Sequence, residues 1–184
     1  FDEVFGPNVQ GLYNVYEAAR RAGARVVFAS SNHTIGFHPR ATTIDPDSPY
    51  RPDGYYGASK VWGETLGRLY FDKHGVESVF LRIGSCFPRP TDARMLATWL
   101  SYGDLARLTE RAALAPRVGC CVIWATSANS RMTWWDGDAR DLIGWQPQDT
   151  ADGFADELEG RTSGDPLVEA HQGGAYVAIG RAGS

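Results

Sequence analysis

The stretch "YYGASKVWGETLGRLYFDKHGVESVFLRIGS", residues 55–85, decides how this chain folds. Trp62, Leu66, Leu69 and Tyr70 recur at the spacing of one helix face, and Gly75 stands where a left-handed residue closes a helix. "ESVFLRIGS" (77–85) follows as a short apolar run and reads as a strand, which "CFPRP" (86–90) cannot continue. The same pair occurs once more upstream. Val9, Leu12, Tyr13, Tyr16 and Ala19 predict a helix stopped by Gly23, and "ARVVFASS" (24–31) predicts a buried strand over about residues 25–29. Helix, strand, helix, strand predicts an α/β fold with a parallel sheet. The loops after Ala29 and Arg82 then open on its carboxyl edge, where such folds hold ligands.

From Asp92 the composition shifts. "ARMLATWLSYGDLARLTERAALA" (93–115) predicts two short helices broken near Gly103, and "RVGCCVIWAT" (117–126) predicts a strand with Cys120 and Cys121 as core residues. "WWDGDARDLIGWQPQDT" (134–150) predicts a short helix ending at Gly144, with Asp136 and Asp138 in its first turn. Trp134 and Trp135 suit either a pocket cover or core filling. Arg82 and Arg89 are read as structural.

The 184 residues suffice for one real core, and 43% hydrophobic content argues against general disorder. A net charge of −4 with no basic run makes nucleic acid an unexpected partner. Cys86, Cys120 and Cys121 offer no disulfide framework, and no long apolar stretch or leader is present. The expectation is a soluble, cytoplasmic protein without a membrane partner, its oligomeric state left open. The four histidines and three cysteines show no metal-ligand spacing, so no metal is expected.

One pair carries chemistry. Tyr56 and Lys60 are four residues apart and share a helix face. An ammonium beside a phenol favours the phenolate, the form that can take a proton. Tyr55, offset by five, turns away toward packing or pocket lining. Ser30 and Ser31 close the preceding strand, where a hydroxyl could hold a substrate oxygen.

"FASS", "YYGASK" and "FLRIGS" together resemble the extended short-chain dehydrogenase/reductases, the NAD-dependent epimerase/dehydratase-like family. The resemblance implies a Rossmann-like parallel-sheet fold and an NAD cofactor. It implies catalytic roles for Ser31, Tyr56, Lys60 and the helix asparagine Asn8, and cofactor contacts from Tyr56, Lys60, Ile83 and Gly84. "SSNHTIG" (30–36), "LRIGSCFPRP" (81–90) and "WATSANSRMTWWD" (124–136) are similar to one group within it, the uronate dehydrogenases, which oxidise the C1 hydroxyl of galacturonate or glucuronate to the lactone. That similarity implies substrate contacts from Ser31, Asn32, His33, Ser85 and Arg94, the arginine pairing with the uronate carboxylate. A sugar-nucleotide epimerase or dehydratase, or a non-catalytic α/β fragment, stays open as an alternative.

Residues 1–90 are expected to be the C-terminal half of an NAD-binding Rossmann domain, and residues 91–184 a small substrate-binding lobe. No glycine-rich turn follows an early strand, and Gly173, Gly174 and Gly180 lack its spacing. The chain is therefore expected to be the C-terminal two thirds of a dehydrogenase, inactive by itself.

Overall fold

A computed structural model describes residues 1–180. The last four residues of the expected 91–184 lobe lie outside the described residues. Helix α1 (Asp2–Phe5) runs through a π-turn (Gly6–Gly11) into α2 (Leu12–Ala22). Strand β1 (Val26–Ser31), helix α3 (Tyr55–His74) and strand β2 (Ser78–Ile83) follow in the predicted order. Gly23 and Gly75 adopt φ of 63° and 69°, the left-handed conformation that ends both α2 and α3. β1 is longer than expected: Ser30 and Ser31 are inside the ladder, opposite Arg82 and Ile83.

Short strand β3 (Ser85–Cys86), helix α4 (Met95–Thr98), strand β4 (Trp99–Leu100), helix α5 (Tyr102–Leu114) and strand β5 (Cys120–Ala125) come next. Helices α6 (Ala155–Leu158) and α7 (Pro166–Ala170) complete the named elements. The main sheet has the order β1-β2-β5 with both pairings parallel, so Ser31, Ile83 and Ala125 end side by side. This is the expected Rossmann-like α/β arrangement. β5 lies beyond residue 90 yet belongs to the sheet begun by β1 and β2, so a boundary at 90 cuts across that sheet.

Alternation along β2 divides the core. Val79 and Leu81 pack with Leu108 and Ala112 of α5, together with Ile123 and Trp145. Phe80 faces the other way, with Phe28, Leu12, Tyr16, Leu66 and Tyr70 under α2 and α3. Arg82 shares that second face and is 1% exposed, as is Glu64 of α3. The guanidinium donates to both Glu64 oxygens, at 3.0 Å and 2.8 Å, while Ser30 and Tyr50 donate to the same carboxylate at 2.5 Å and 3.0 Å. The structural reading of Arg82 thus acquires a partner that no local pattern revealed.

Three expectations need correction. The break after α4 falls at Trp99–Ser101, because β4 pairs with β3 and Ser101 Oγ caps α5 by accepting from the Asp104 N–H at 2.8 Å. Gly103 lies inside that first turn. No helix forms over 134–144. Asp138 instead accepts the Trp124 N–H at 2.8 Å and pairs with Arg140, so its carboxylate braces β5 against a turn. Cys120 and Cys121 are only half-buried, at the margins of the two core layers. Trp134 and Trp135 are 8% and 6% exposed, and Trp135 stacks on Trp124 at 5.1 Å, so the pair fills core. No helix among the described residues is long and apolar enough to cross a membrane.

Candidate active site

Parallel strands leave their carboxyl ends on one edge, and the loops leaving β1 and β2 enclose a cavity of about 430 Å³ there. Nine of the ten residues singled out from sequence line it: Ser31, Asn32, His33, Tyr56, Lys60, Ile83, Gly84, Ser85 and Arg94. Asn8 does not. It stands in the π-turn and donates from Nδ2 to Ser59 Oγ at 2.9 Å, and that hydroxyl donates to the Tyr56 carbonyl at 2.7 Å. Asn8 therefore braces the first turn of α3 from behind.

The first turn of α3 brings Tyr56 and Lys60 to one wall, as four-residue spacing requires. Lys60 Nζ donates to the Ala29 carbonyl at 2.9 Å and lies over the Tyr56 ring, 5.3 Å from its centroid. Burial pushes the Tyr56 phenol up from its ordinary value, and the neighbouring Ser31 hydroxyl only partly offsets this. Burial also lowers the Lys60 ammonium. The expected net lowering of the phenol by Lys60 is thus not what the structure holds. The ammonium sits above the ring face, and burial is the largest cause acting on the phenol.

Ser31 Oγ accepts the His33 N–H at 3.2 Å, which turns the chain sharply out of β1 into a short 3-10 turn, Asn32–Thr34. Asn32 is 1% exposed. With its amide oriented to satisfy both ends, it donates to the Ile83 carbonyl at 3.0 Å and accepts from Arg94 at 2.8 Å. Ser85 Oγ lies 2.9 Å from Thr98 Oγ1 and accepts from Arg94 at 3.1 Å. Arg94 also donates twice to the Gln172 carbonyl, at 2.9 Å and 2.6 Å. All these partners are neutral oxygens. Among the described residues no carboxylate lies within ion-pair distance of Arg94, and burial lowers its guanidinium to about 10, with Arg40 adding to the effect.

Sequence reasoning missed Tyr176 in this cavity wall and Asp53 buried behind it. Tyr176, in the 3-10 turn Gly174–Ala178, lays its ring on His33 with centroids 3.9 Å apart. Asp53 places Oδ2 2.7 Å from His33 Nδ1. "RPDG" before "YYGASK" read only as a turn, and the Gly-rich tail had no periodicity that would aim Tyr176 anywhere. No cluster of three or more metal-ligating side chains occurs among the described residues.

The family model for NAD dependent epimerases/dehydratases matches residues 2–114, which include the Tyr56–Lys60 wall and all of the cavity lining except Gly173, Ala175 and Tyr176. A uronate dehydrogenase of Agrobacterium fabrum is 48% identical over 182 residues, covering 96% of this chain and 68% of the relative. The crystal structure of a glucuronic acid dehydrogenase from Chromohalobacter salexigens superposes with a TM-score of 0.92 at 49% identity, over 97% of this chain and 68% of that one. That of uronate dehydrogenase from Agrobacterium tumefaciens gives 0.90 at 47% identity, over the same two shares. The chain thus spans about two thirds of the length of these relatives. With the parallel sheet, the cavity at its carboxyl edge and the match over residues 2–114 in agreement, the chain belongs to the NAD dependent epimerase/dehydratase family.

Proposed function

We propose that this chain carries the catalytic edge of a dehydrogenase that oxidises the C1 hydroxyl of a hexuronate, galacturonate or glucuronate, to the lactone. The observation that carries the reading is Arg94. A guanidinium enclosed in a cavity and bonded only to neutral oxygens has no carboxylate in contact, since Asp92, Asp53 and Glu169 act on it only from beyond ion-pair distance, and a substrate carboxylate supplies that contact. Its planar fork suits a carboxylate bidentately. Such a group separates uronates from neutral sugars. The identity to uronate dehydrogenases across nearly the whole chain supports the same reading.

The residues at the cavity wall fit the nicotinamide end of NAD: Lys60 can donate to a ribose hydroxyl, and the Ile83–Gly84 backbone offers a flat strand end beside it. Bound there, NAD supplies the two-electron oxidant. Tyr56 takes the proton of the C1 hydroxyl. Ser31 holds the same oxygen, and Lys60, once a substrate oxygen and a ribose hydroxyl replace water, stabilises the phenolate. Asn8 acts through α3 by fixing the turn that carries Tyr56. Ser85 and Asn32 hold Arg94 in place for the carboxylate.

NMR titration of the chain with galacturonate, glucuronate, galactose and a UDP-sugar tests the specificity. Shifts at Arg94 and Ser85 with the uronates alone are expected. Equal or tighter binding of the UDP-sugar would overturn the reading in favour of a sugar-nucleotide epimerase or dehydratase.

A further inference from the structure

His33 lines the cavity with only one ring nitrogen engaged by protein. Nδ1 lies 2.7 Å from Asp53 Oδ2, while Nε2 has no hydrogen-bond partner among the described residues. The Asp53 side chain has no exposed surface. It cannot reach a ligand itself. Its other oxygen, Oδ1, has no hydrogen-bond partner among the described residues, and His33 is the one side chain there that this carboxylate hydrogen-bonds.

The fold is arranged around that contact. Residues 34–37 pair with the segment before α3: the Arg51 N–H donates to Thr34, the Phe37 N–H to Arg51 and the Asp53 N–H to His33. This pairing returns the chain to His33 after 20 residues. Gly36 and Gly173 make room, because a Cβ on either would overlap the Asp53 carboxylate. Tyr176 stacks on the imidazole and the Tyr56 ring meets it edge-on at 5.8 Å, so the ring plane is held from two sides.

We propose that Asp53 is a positioning residue that locks His33 in the Nδ1–H tautomer and presents Nε2 to the cavity as a hydrogen-bond acceptor for a sugar hydroxyl. An ionised carboxylate only accepts, so the nitrogen facing it carries the proton and the far nitrogen carries the lone pair. His33 adds an acceptor to a lining whose other acceptors include Asp92, Tyr56 and the serine hydroxyls. Lys60 and Arg94 are obligate donors, and a polyol brings several hydroxyl protons that must also be received. This deepens the hexuronate reading above and rests on it for the identity of the hydroxyl donor.

Two-bond proton–nitrogen NMR on the ¹⁵N-histidine-labelled chain, near pH 8, reads the tautomer of His33 directly. The wild-type chain is expected to show Nδ1–H. In Asp53→Asn the side-chain amide can donate to Nδ1, so the proton moves to Nε2 and the acceptor is lost. Galacturonate affinity should then fall roughly 10–100-fold, the range by which outer partners tune ligating histidines in metal sites. An Nε2–H tautomer in the wild-type chain overturns the proposal, and that measurement stands even where Asp53→Asn fails to fold. An unchanged tautomer in a folded Asp53→Asn also overturns it, as does a changed tautomer with unchanged galacturonate affinity. Failure of the hexuronate reading looks different: the tautomer shifts on substitution while the wild-type chain binds no uronate, which leaves the lock and removes the sugar.

Discussion

Arg82 and Arg94 are two enclosed arginines at the carboxyl end of the same sheet, and the chain treats them in opposite ways. Arg82 points under α3 into an apolar layer and meets Glu64 in a two-point ion pair, with Ser30 and Tyr50 completing the carboxylate's contacts. Burial works to lower its pKa, but the bond to Glu64 and that carboxylate's charge more than offset this and the guanidinium is raised. Arg94 points into the cavity, is bonded to Gln172, Ser85 and Asn32, and is lowered to about 10 by burial. A cation whose charge is answered inside the protein is part of the scaffold. One whose geometry is fixed by neutral oxygens, with Asp92, Asp53 and Glu169 acting only from beyond ion-pair distance, keeps its fork without a carboxylate in contact.

Removing the answer to Arg82 is the most severe way to probe the contrast. Glu64→Gln leaves a buried guanidinium without a counter-charge and should cost about 3–5 kcal/mol of stability by urea unfolding. Arg94→Gln removes a charge with no carboxylate in contact and a net cost from burial, so the same measurement should show little loss or a gain. A comparable loss from both would erase the distinction drawn between the two arginines.

Tyr56→Phe tests the cavity's chemistry without touching either charge. In the chain extended by the first βαβ unit of a uronate dehydrogenase, turnover should fall roughly 10²–10⁴-fold, the range a general base contributes. Tyr55→Phe should be far milder, since Tyr55 is 71% exposed and packs edge-on to Phe1. The reverse order would move the acid–base role away from the Tyr56–Lys60 face.

Arg94→Lys keeps the cation and loses the fork. Binding of galacturonate to the chain should weaken by roughly tenfold, with galactose unaffected, as expected when a bidentate partner becomes a point charge. Titration calorimetry on both sugars checks this.

The smallest effect lies in pH. Arg94 has its folded pKa depressed to about 10 from 12.5, so the fold disfavours its charged form. That penalty is fully present below pH 10 and is relieved as pH rises through 10 toward 12.5, because the unfolded chain then binds more protons than the folded one. Uronate affinity should move oppositely, holding below pH 10 and declining above it. Arg82, raised, should contribute no change over that interval.

Much of this site was legible because its spacing is local. Tyr56 and Lys60 share a helix turn, Ser31 ends a strand, and Gly23 and Gly75 close their helices; each is settled by a few covalent neighbours. The contacts that were missed join distant segments. Glu64 and Arg82 stand 18 residues apart on a helix and a strand, and Asp53 and His33 20 apart across a proline-bearing loop. Likeness gave Asn8 a catalytic role, and the contact through which it reaches Tyr56, by way of Ser59, was not foreseen. The predicted helix over 134–144 failed for a related reason: Asp138 found the Trp124 N–H and Arg140, and those bonds outweighed weak helical propensity.

Sequence alone therefore determined the alternation of helix and strand, the parallel sheet it implies and the Tyr56–Lys60 face beside the Ser31 strand end, while Asn32, His33, Ile83, Gly84, Ser85 and Arg94 were named by family resemblance. Periodicity and turn chemistry act within a few residues and need no folded partner to be read. Only the tertiary structure decided which arginine is paired, which nitrogen of His33 is tied back and which way the Tyr56 phenol shifts. Those outcomes depend on burial and on charges brought together through space, and no spacing along the chain encodes either.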